Sequence, residues 1–186
     1  MPDKKAKFPT RPSLVGRKVF LRPATPEDIA NIEYWTAISQ PESLACRPQP
    51  FRTPAQAAEN YRACEKTTVE QKFAVVRKEG LILLGEASFF NYNPLNRSAE
   101  LGVIIDPDER KKGYGREALQ LLTRFLFKYR GLNKVYAQTA AFNKGAVALL
   151  ESLGFQRDAI LRQHYFFEGE FHNGVIYSLL LFELNW

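Results

Sequence analysis

Histidine and cysteine are nearly absent from this chain, with two of each in 186 residues. His164 and His172, with no Cys/Asp partner pattern around them, make no metal site and are expected at the surface. Cys46 and Cys64 are too few for a disulfide framework, so a reduced, cytoplasmic setting is the default and the thiols are incidental. No apolar run approaches the roughly eighteen residues that a bilayer crossing requires. The N-terminus, Met1 to Thr10, is charged and lacks the apolar stretch of a secretory signal. Residues 1–15 are therefore expected as a flexible tail, ahead of a single domain over 16–186. Positive charge is in surplus, at +6, but it is spread along the chain without a dense stripe, so no specific nucleic-acid partner is expected.

What is present is an apolar fraction of 45% against 25% charged residues, the balance of a folded globular domain rather than a disordered chain. Fourteen phenylalanines favour a sheet-rich core. The most informative stretch runs from Glu100 to Leu119. Leu101, Val103, Ile104 and Ile105 form a β-branched run too short for a buried helix, and Pro107 ends it because it cannot donate to a ladder. The loop Arg110-Lys111-Lys112-Gly113-Tyr114-Gly115 follows, and then Ala118, Leu122, Phe125, Leu126 and Tyr129 fall at helical spacing. A basic, glycine-rich loop feeding a helix N-terminus suits an anion. The first helical amides lack intrahelical partners, the helix dipole is positive there, and glycines let a phosphate approach the backbone. The stretch lacks the third glycine and the acid roughly twenty positions on that a dinucleotide site needs, and the Gly-Lys-Ser/Thr of a triphosphate loop. A solvated basic turn ahead of an ordinary helix is the plainer reading of these residues.

Elsewhere the elements follow in a regular order. Val19 to Pro23 reads as a strand. Thr25-Pro26-Glu27-Asp28 starts a helix with Ile29, Ile32, Tyr34 and Trp35 on its apolar face. Gln40 to Phe51 is proline-rich and irregular, and Thr53-Pro54 opens a second helix reaching about Lys66. Lys72–Arg77 and Leu81–Phe90 read as a hairpin, with a fourth strand at Ala99–Ile105. After the long helix, Gly131 is a stop signal, Lys134–Thr139 a strand, and Asn143 the cap of a helix ending at Gly154. A strand over Phe155–Leu161, an extended excursion from Arg162 to Gly174, and a last strand over Val175–Phe182 close the chain. The order is β-α-α-β-β-β-α-β-α-β-β.

Arg110, Gly113 and Gly115 resemble the Gln/Arg-x-x-Gly-x-Gly/Ala pyrophosphate motif of the GNAT superfamily of acetyl-CoA-dependent N-acetyltransferases. Asn143-Lys-Gly-Ala-Val-Ala-Leu-Leu-Glu-Ser-Leu-Gly-Phe155 is similar to that superfamily's second motif, and the element order matches from Val19 to Phe182. The late stretch Gly169-x-x-x-Asn173-x-x-x-Tyr177 resembles the subgroup that acetylates ribosomal-protein N-termini. Many of its members carry Asp where this chain has Asn173, and no role is assigned to that position.

The resemblance implies an α+β (mixed α/β) GNAT fold. Its central sheet is mixed and mostly antiparallel, with about seven strands flanked by about four helices and split between strands four and five. It implies acetyl-CoA as cosubstrate, no metal, an amine acceptor as partner, and a monomer or homodimer away from membranes. Carried over, Val103 and Ile105 contact the pantetheine arm through their backbone. Arg110, Lys111, Lys112, Gly113, Tyr114, Gly115 and Arg116 cradle the pyrophosphate, and Asn143 contacts the cofactor besides capping its helix. Acetyl transfer also needs a base for the amine, for which Glu100 is the leading candidate and Glu86 the next. The family's tyrosine after the second-motif leucine is replaced here by Leu150, so the thiolate needs another proton donor. Tyr165 is the candidate, with His164 behind it. The main expectation is transfer to a protein N-terminal amine. The alternatives are transfer to a small amine (amino acid, polyamine or antibiotic) and a module that binds acetyl-CoA without turnover.

Overall fold

The computed structural model describes residues 14–39, 52–64 and 70–185. Its strands are β1 (Val19–Pro23), β2 (Gln71–Arg77), β3 (Leu83–Asn93), β4 (Ser98–Ile105), β5 (Lys134–Ala140), β6 (Gln156–Phe167) and β7 (Glu170–Leu180). The helices are α1 (Pro26–Ser39), α2 (Pro54–Cys64), α3 (Tyr114–Arg130) and α4 (Lys144–Ser152). One sheet holds all seven strands in the order β1-β2-β3-β4-β5-β7-β6. Its pairs are antiparallel except β4 with β5, which run parallel. The mixed architecture, the seven strands and the split beside β4 are those expected from the sequence.

Local chemistry explains the helix starts. Thr25 Oγ1 accepts from the Asp28 amide at 3.2 Å while the Asp28 carboxylate accepts from the Thr25 amide at 2.7 Å, a reciprocal cap around Pro26. Burial alone would push the Asp28 carboxyl up, but the Arg22 guanidinium at 2.5 and 2.9 Å and the Thr25 amide hold it below the usual carboxylate range. Thr53 and Gln56 form the same reciprocal pair ahead of α2. At its far end α3 stops on Gly131 at φ 65°, a left-handed residue whose amide donates to Leu126 O.

Two layers of core flank the sheet. On one face α3 buries Leu122, Phe125 and Leu126 against Leu21, Phe73, Val75 and Leu101, and α4 adds Leu150. Phe125 meets Phe73 edge-on at 6.0 Å, and a ring buried this way contributes about 1.5–3 kcal/mol. On the other face Phe20, Ala74 and Val76 meet Ile29 of α1, and α1 closes on α2 through Ala30, Ala57 and Ala58. Two residues placed on apolar stripes by spacing, Tyr34 and Tyr129, are instead 54% exposed. A phenol hydroxyl reaches water at little cost, and Tyr129 keeps its ring stacked on Phe125 at 5.9 Å.

The C-terminal region departs from expectation. In place of an excursion, β6 continues to Phe167, turns through Glu168 and Gly169 at φ 51° and 87°, and returns as β7 from Glu170. Positive φ at both turn residues matches the twist of a tight hairpin. Phe142 stacks on Phe167 at 5.1 Å and meets His172 edge-on at 5.0 Å, so aromatic packing holds the hairpin, and His172 is half-buried rather than at the surface. The last strand ends at Leu180, before a short 3-10 turn over Leu181–Glu183. At the other terminus packing starts ahead of residue 16: Leu14 is buried and Val15 bridges Phe20. Residues 1–13, the proline-rich segment with Cys46, the stretch after Cys64 and the Cys64 side chain lie outside the described residues. No helix among those described is long and apolar enough to cross a membrane.

Candidate active site

The parallel ladder between β4 and β5 has only three rungs and ends at Glu100 opposite Tyr136. Beyond that rung the strands diverge. The Asp106 amide donates to Leu84 O at 2.8 Å, which turns the even-numbered backbone groups of β4 toward β3. Strand alternation then aims those of Leu101, Val103 and Ile105 into the split. An extended chain entering the split therefore meets the backbone of Val103 and Ile105, the two residues singled out from sequence.

At the C-terminal end of β4 lies the glycine-rich turn. Gly113 is the N-cap of α3 at φ 87°, a conformation that suits glycine, and it offers no side chain to its own helix. Lys111 also takes a left-handed conformation, at φ 60°. A Cβ on Gly115 would stand 3.4 Å from Ile105 Cγ1 and 3.9 Å from Val103 Cγ2, so the turn lies flush against β4. Arg110 Nε donates to Ile105 O at 3.0 Å and locks the turn to the strand end. Lys112 pairs with Glu109 at 3.0 Å, and Arg116 donates to Ser152 O at the end of α4 at 3.2 Å. Asn143 Oδ1 accepts from the Ala146 amide at 3.1 Å as the cap of α4.

One cation was missed by sequence reading. Lys18 Nζ donates to Lys112 O at 3.0 Å, 94 positions away, and would be the nearest neighbour of a Cβ on Gly113, at 3.7 Å. The Glu117 carboxylate accepts from the backbone amides of Arg17 and Lys18 and pins that segment to the first turn of α3. Helix dipole, glycine backbone and cations thus converge at the first turn of α3.

The opposite sheet face carries the carboxylates. Pairing sets Glu86, Ser88 and Phe90 of β3 opposite Ile104, Gly102 and Glu100 of β4, on the side away from α3. Glu100 Oε2 accepts from Asn91 Nδ2 at 2.8 Å, and Asn91, which is exposed, takes a left-handed φ of 50° at an irregularity in β3. Glu86 is buried, 3.5 Å from Lys72 Nζ. Burial pushes its carboxyl up, and the attraction of Lys72 only partly offsets this. Tyr136, sharing the last rung with Glu100, has its hydroxyl pushed up by burial and by that carboxylate. Two residues farther along β5, Gln138 Nε2 donates to the Tyr165 hydroxyl at 2.8 Å and lies 2.9 Å from His164 Nε2. Leu150 is buried under the sheet on the α3 side. Among the described residues no group of three or more His, Cys, Asp or Glu is placed to hold a metal.

The structure therefore brings Glu100 together with Tyr136 and Asn91, and Tyr165 together with Gln138 and His164. Asn91, Tyr136 and Gln138 carry no sequence signal of their own, because only strand pairing brings them to the split.

A sheet parted after one parallel pair, with a basic, glycine-rich turn at one end and carboxylates on the face away from α3, is the frame of an acyl-group transferase. Residues 18–156 match the family model of the acetyltransferase (GNAT) domain, and the chain belongs to this family of N-acetyltransferases. It is 28% identical over 125 residues to spermidine N(1)-acetyltransferase of Vibrio cholerae, covering 67% of this chain and 72% of the relative. It is 36% identical to the ribosomal protein bS18-alanine N-acetyltransferase of Escherichia coli over 84 residues, 45% of this chain and 49% of that one. Among solved structures, the Vibrio cholerae spermidine N-acetyltransferase in complex with CoA and spermine superposes with a TM-score of 0.79 at 24% identity, covering 89% and 97% of the two chains; this likeness is one of fold.

Proposed function

We propose that this chain transfers an acetyl group from acetyl-CoA to a primary amine of a small cationic molecule such as a polyamine. The observation that carries the reading is the Glu100 carboxylate at the last rung before the split, on the sheet face that also carries Glu86 one strand away. Glu100 sets a carboxylate at that place in a chain whose net charge is +6, and a cationic acceptor needs the local field rather than the overall charge. The similarity to a spermidine N(1)-acetyltransferase over two thirds of the chain supports it.

Acetyl-CoA supplies the activated acetyl group. The turn from Arg110 to Arg116, joined by Lys18, holds its pyrophosphate, Asn143 contacts the cofactor from the N-terminal end of α4, and the backbone of Val103 and Ile105 receives the extended arm. A β4 amide facing the split polarises the thioester carbonyl. Glu100 takes the proton released by the attacking amine. Its bond to Asn91 aims the carboxylate, and Tyr136 shares its rung. One C–S bond is exchanged for one C–N bond, and Tyr165 returns a proton to the departing thiolate in place of the tyrosine that Leu150 replaces.

A second reading keeps the chemistry and changes the acceptor to a protein N-terminal amine. It is supported by the 36% identity to the bS18-alanine enzyme, within 84 residues. Competition decides between them. With spermidine and an alanine-starting peptide at equal concentration, mass spectrometry should find the acetyl group on spermidine; acetylated peptide with intact spermidine would reverse the assignment.

A further inference from the structure

We propose that Asn173 is a positioning residue for Tyr165, fixing where its hydroxyl stands at the split. The inference rests on the reading of Tyr165 as proton donor. Between two paired positions β6 runs from Leu161 to Tyr165, while β7 runs only from Gly174 to His172. The surplus residues of β6 must bulge, and a bulge of this kind re-aims the side chains that follow it. The bend passes through Gln163 at φ 48°, a left-handed conformation that a side chain disfavours. An open cavity of about 760 Å³, lined by Ile160, Leu161, Arg162, Gln163 and Asn173, flanks the bend, so packing from that side does not hold it.

A hydrogen bond does. Asn173 Oδ1 accepts from the Gln163 amide at 3.0 Å, and the main-chain carbonyl of Asn173 accepts from the Ala141 amide at 2.9 Å. One residue thereby ties the bulge on β6 to the end of β5. The next two residues after the bend, His164 and Tyr165, both arrive at Gln138 Nε2. Gly174 completes the seat: a Cβ there would stand 3.0 Å from Tyr165 Cε2 and 3.4 Å from His164 Cδ2, so a side chain would lift both rings off β7. Gln138 shares its face with Tyr136, two residues and about 6.6 Å deeper into the split. Because the Tyr165 hydroxyl accepts in its bond to Gln138, that bond does not consume its proton. The requirement at position 173 is an oxygen acceptor at asparagine length, which aspartate also provides and alanine does not.

The test is steady-state kinetics with spermidine as acceptor on Asn173→Ala, Asn173→Asp, Tyr165→Phe and the Asn173→Ala/Tyr165→Phe double variant, with thermal melts alongside. Asn173→Ala should lower kcat about tenfold by misplacing the hydroxyl, with KM for acetyl-CoA unchanged, and Asn173→Asp should recover most of the loss. Tyr165→Phe should lower kcat at least as far, again with KM for acetyl-CoA unchanged. The double variant should be no slower than Tyr165→Phe, since both changes act through one hydroxyl. Gln138→Leu, which leaves the bulge intact, should reproduce the loss even where Asn173→Ala folds poorly. Wild-type kcat in Asn173→Ala or Gln138→Leu beside a slow Tyr165→Phe, or multiplying losses in the double variant, would overturn the positioning role and leave Tyr165 as donor. Wild-type kcat in Tyr165→Phe would overturn both.

Discussion

At the end of the split proposed for the pyrophosphate, one continuous stretch from Ile105 to Arg116 supplies almost every group: strand end, glycine turn, helix amides and cations. At the end proposed for the amine the groups come from β3, β4, β5 and β6, and each is held by a neighbour on another strand. Asn91 holds Glu100, Gln138 holds Tyr165, and Lys72 faces Glu86. The first kind of site depends on backbone conformation, so glycines are its vulnerable points. The second depends on sheet register and bulges, so its vulnerable points are polar side chains that touch no substrate.

That difference can be broken from either side. Replacing Gly115 with valine forces atoms into the contact with Ile105, and a side chain at Gly113 is strained by its φ. Either change should raise the Kd for acetyl-CoA by about a hundredfold, roughly 2.7 kcal/mol, by calorimetry; an unchanged Kd would remove the turn as the cradle. Glu100→Gln should act at the other end alone. It should lower kcat about a hundredfold while acetyl-CoA binds as before, and wild-type rates across pH would remove Glu100 as the base.

Smaller effects sharpen the contrast. Lys18→Met should weaken acetyl-CoA binding by a few-fold, about 1 kcal/mol, and flatten its salt dependence. If the salt dependence is unchanged, Lys18 only braces the turn. Glu86 should be visible in stability. Its carboxyl is raised by burial, so its contribution is fully present below the unfolded value near 4.3 and is lost as pH rises through the raised folded one. Glu86→Gln cannot ionise and should melt above wild type at pH 7.5, by about 2–4 °C per kcal/mol, with the gap closing near pH 4. A lower melting point at pH 7.5 would mean that the Lys72 pair outweighs burial.

The legible parts of the chain were the local ones. Caps at Thr25, Thr53 and Asn143, stops at Gly131 and Gly154, and the turn from Arg110 to Gly115 each declare themselves within a few residues, and the element order followed from them. Lys18 did not, because its approach to Gly113 closes a loop of ninety-odd residues through β1 and α3. Nor did Asn91 and Gln138, since a bulge in β3 and the register of β5 against β7 decide where those amides point. The hairpin of β6 and β7 reads from sequence as an excursion because its strands alternate aromatic, basic and polar residues instead of showing a clean apolar face. Its order comes from Phe142, which belongs to another part of the chain. From sequence Glu86 and Glu100 stand as separate candidates, and only strand pairing sets them on one face.

The central claim is acetyl transfer to a small cationic amine across this split. Its most direct measurement is coenzyme A release from acetyl-CoA, followed by free thiol, against spermidine, spermine, free amino acids, aminoglycosides and peptides beginning with alanine or serine. The account predicts the highest kcat/KM with the polyamines, falling when Glu100 is made glutamine. Release stimulated by the peptides and not by the polyamines would contradict it.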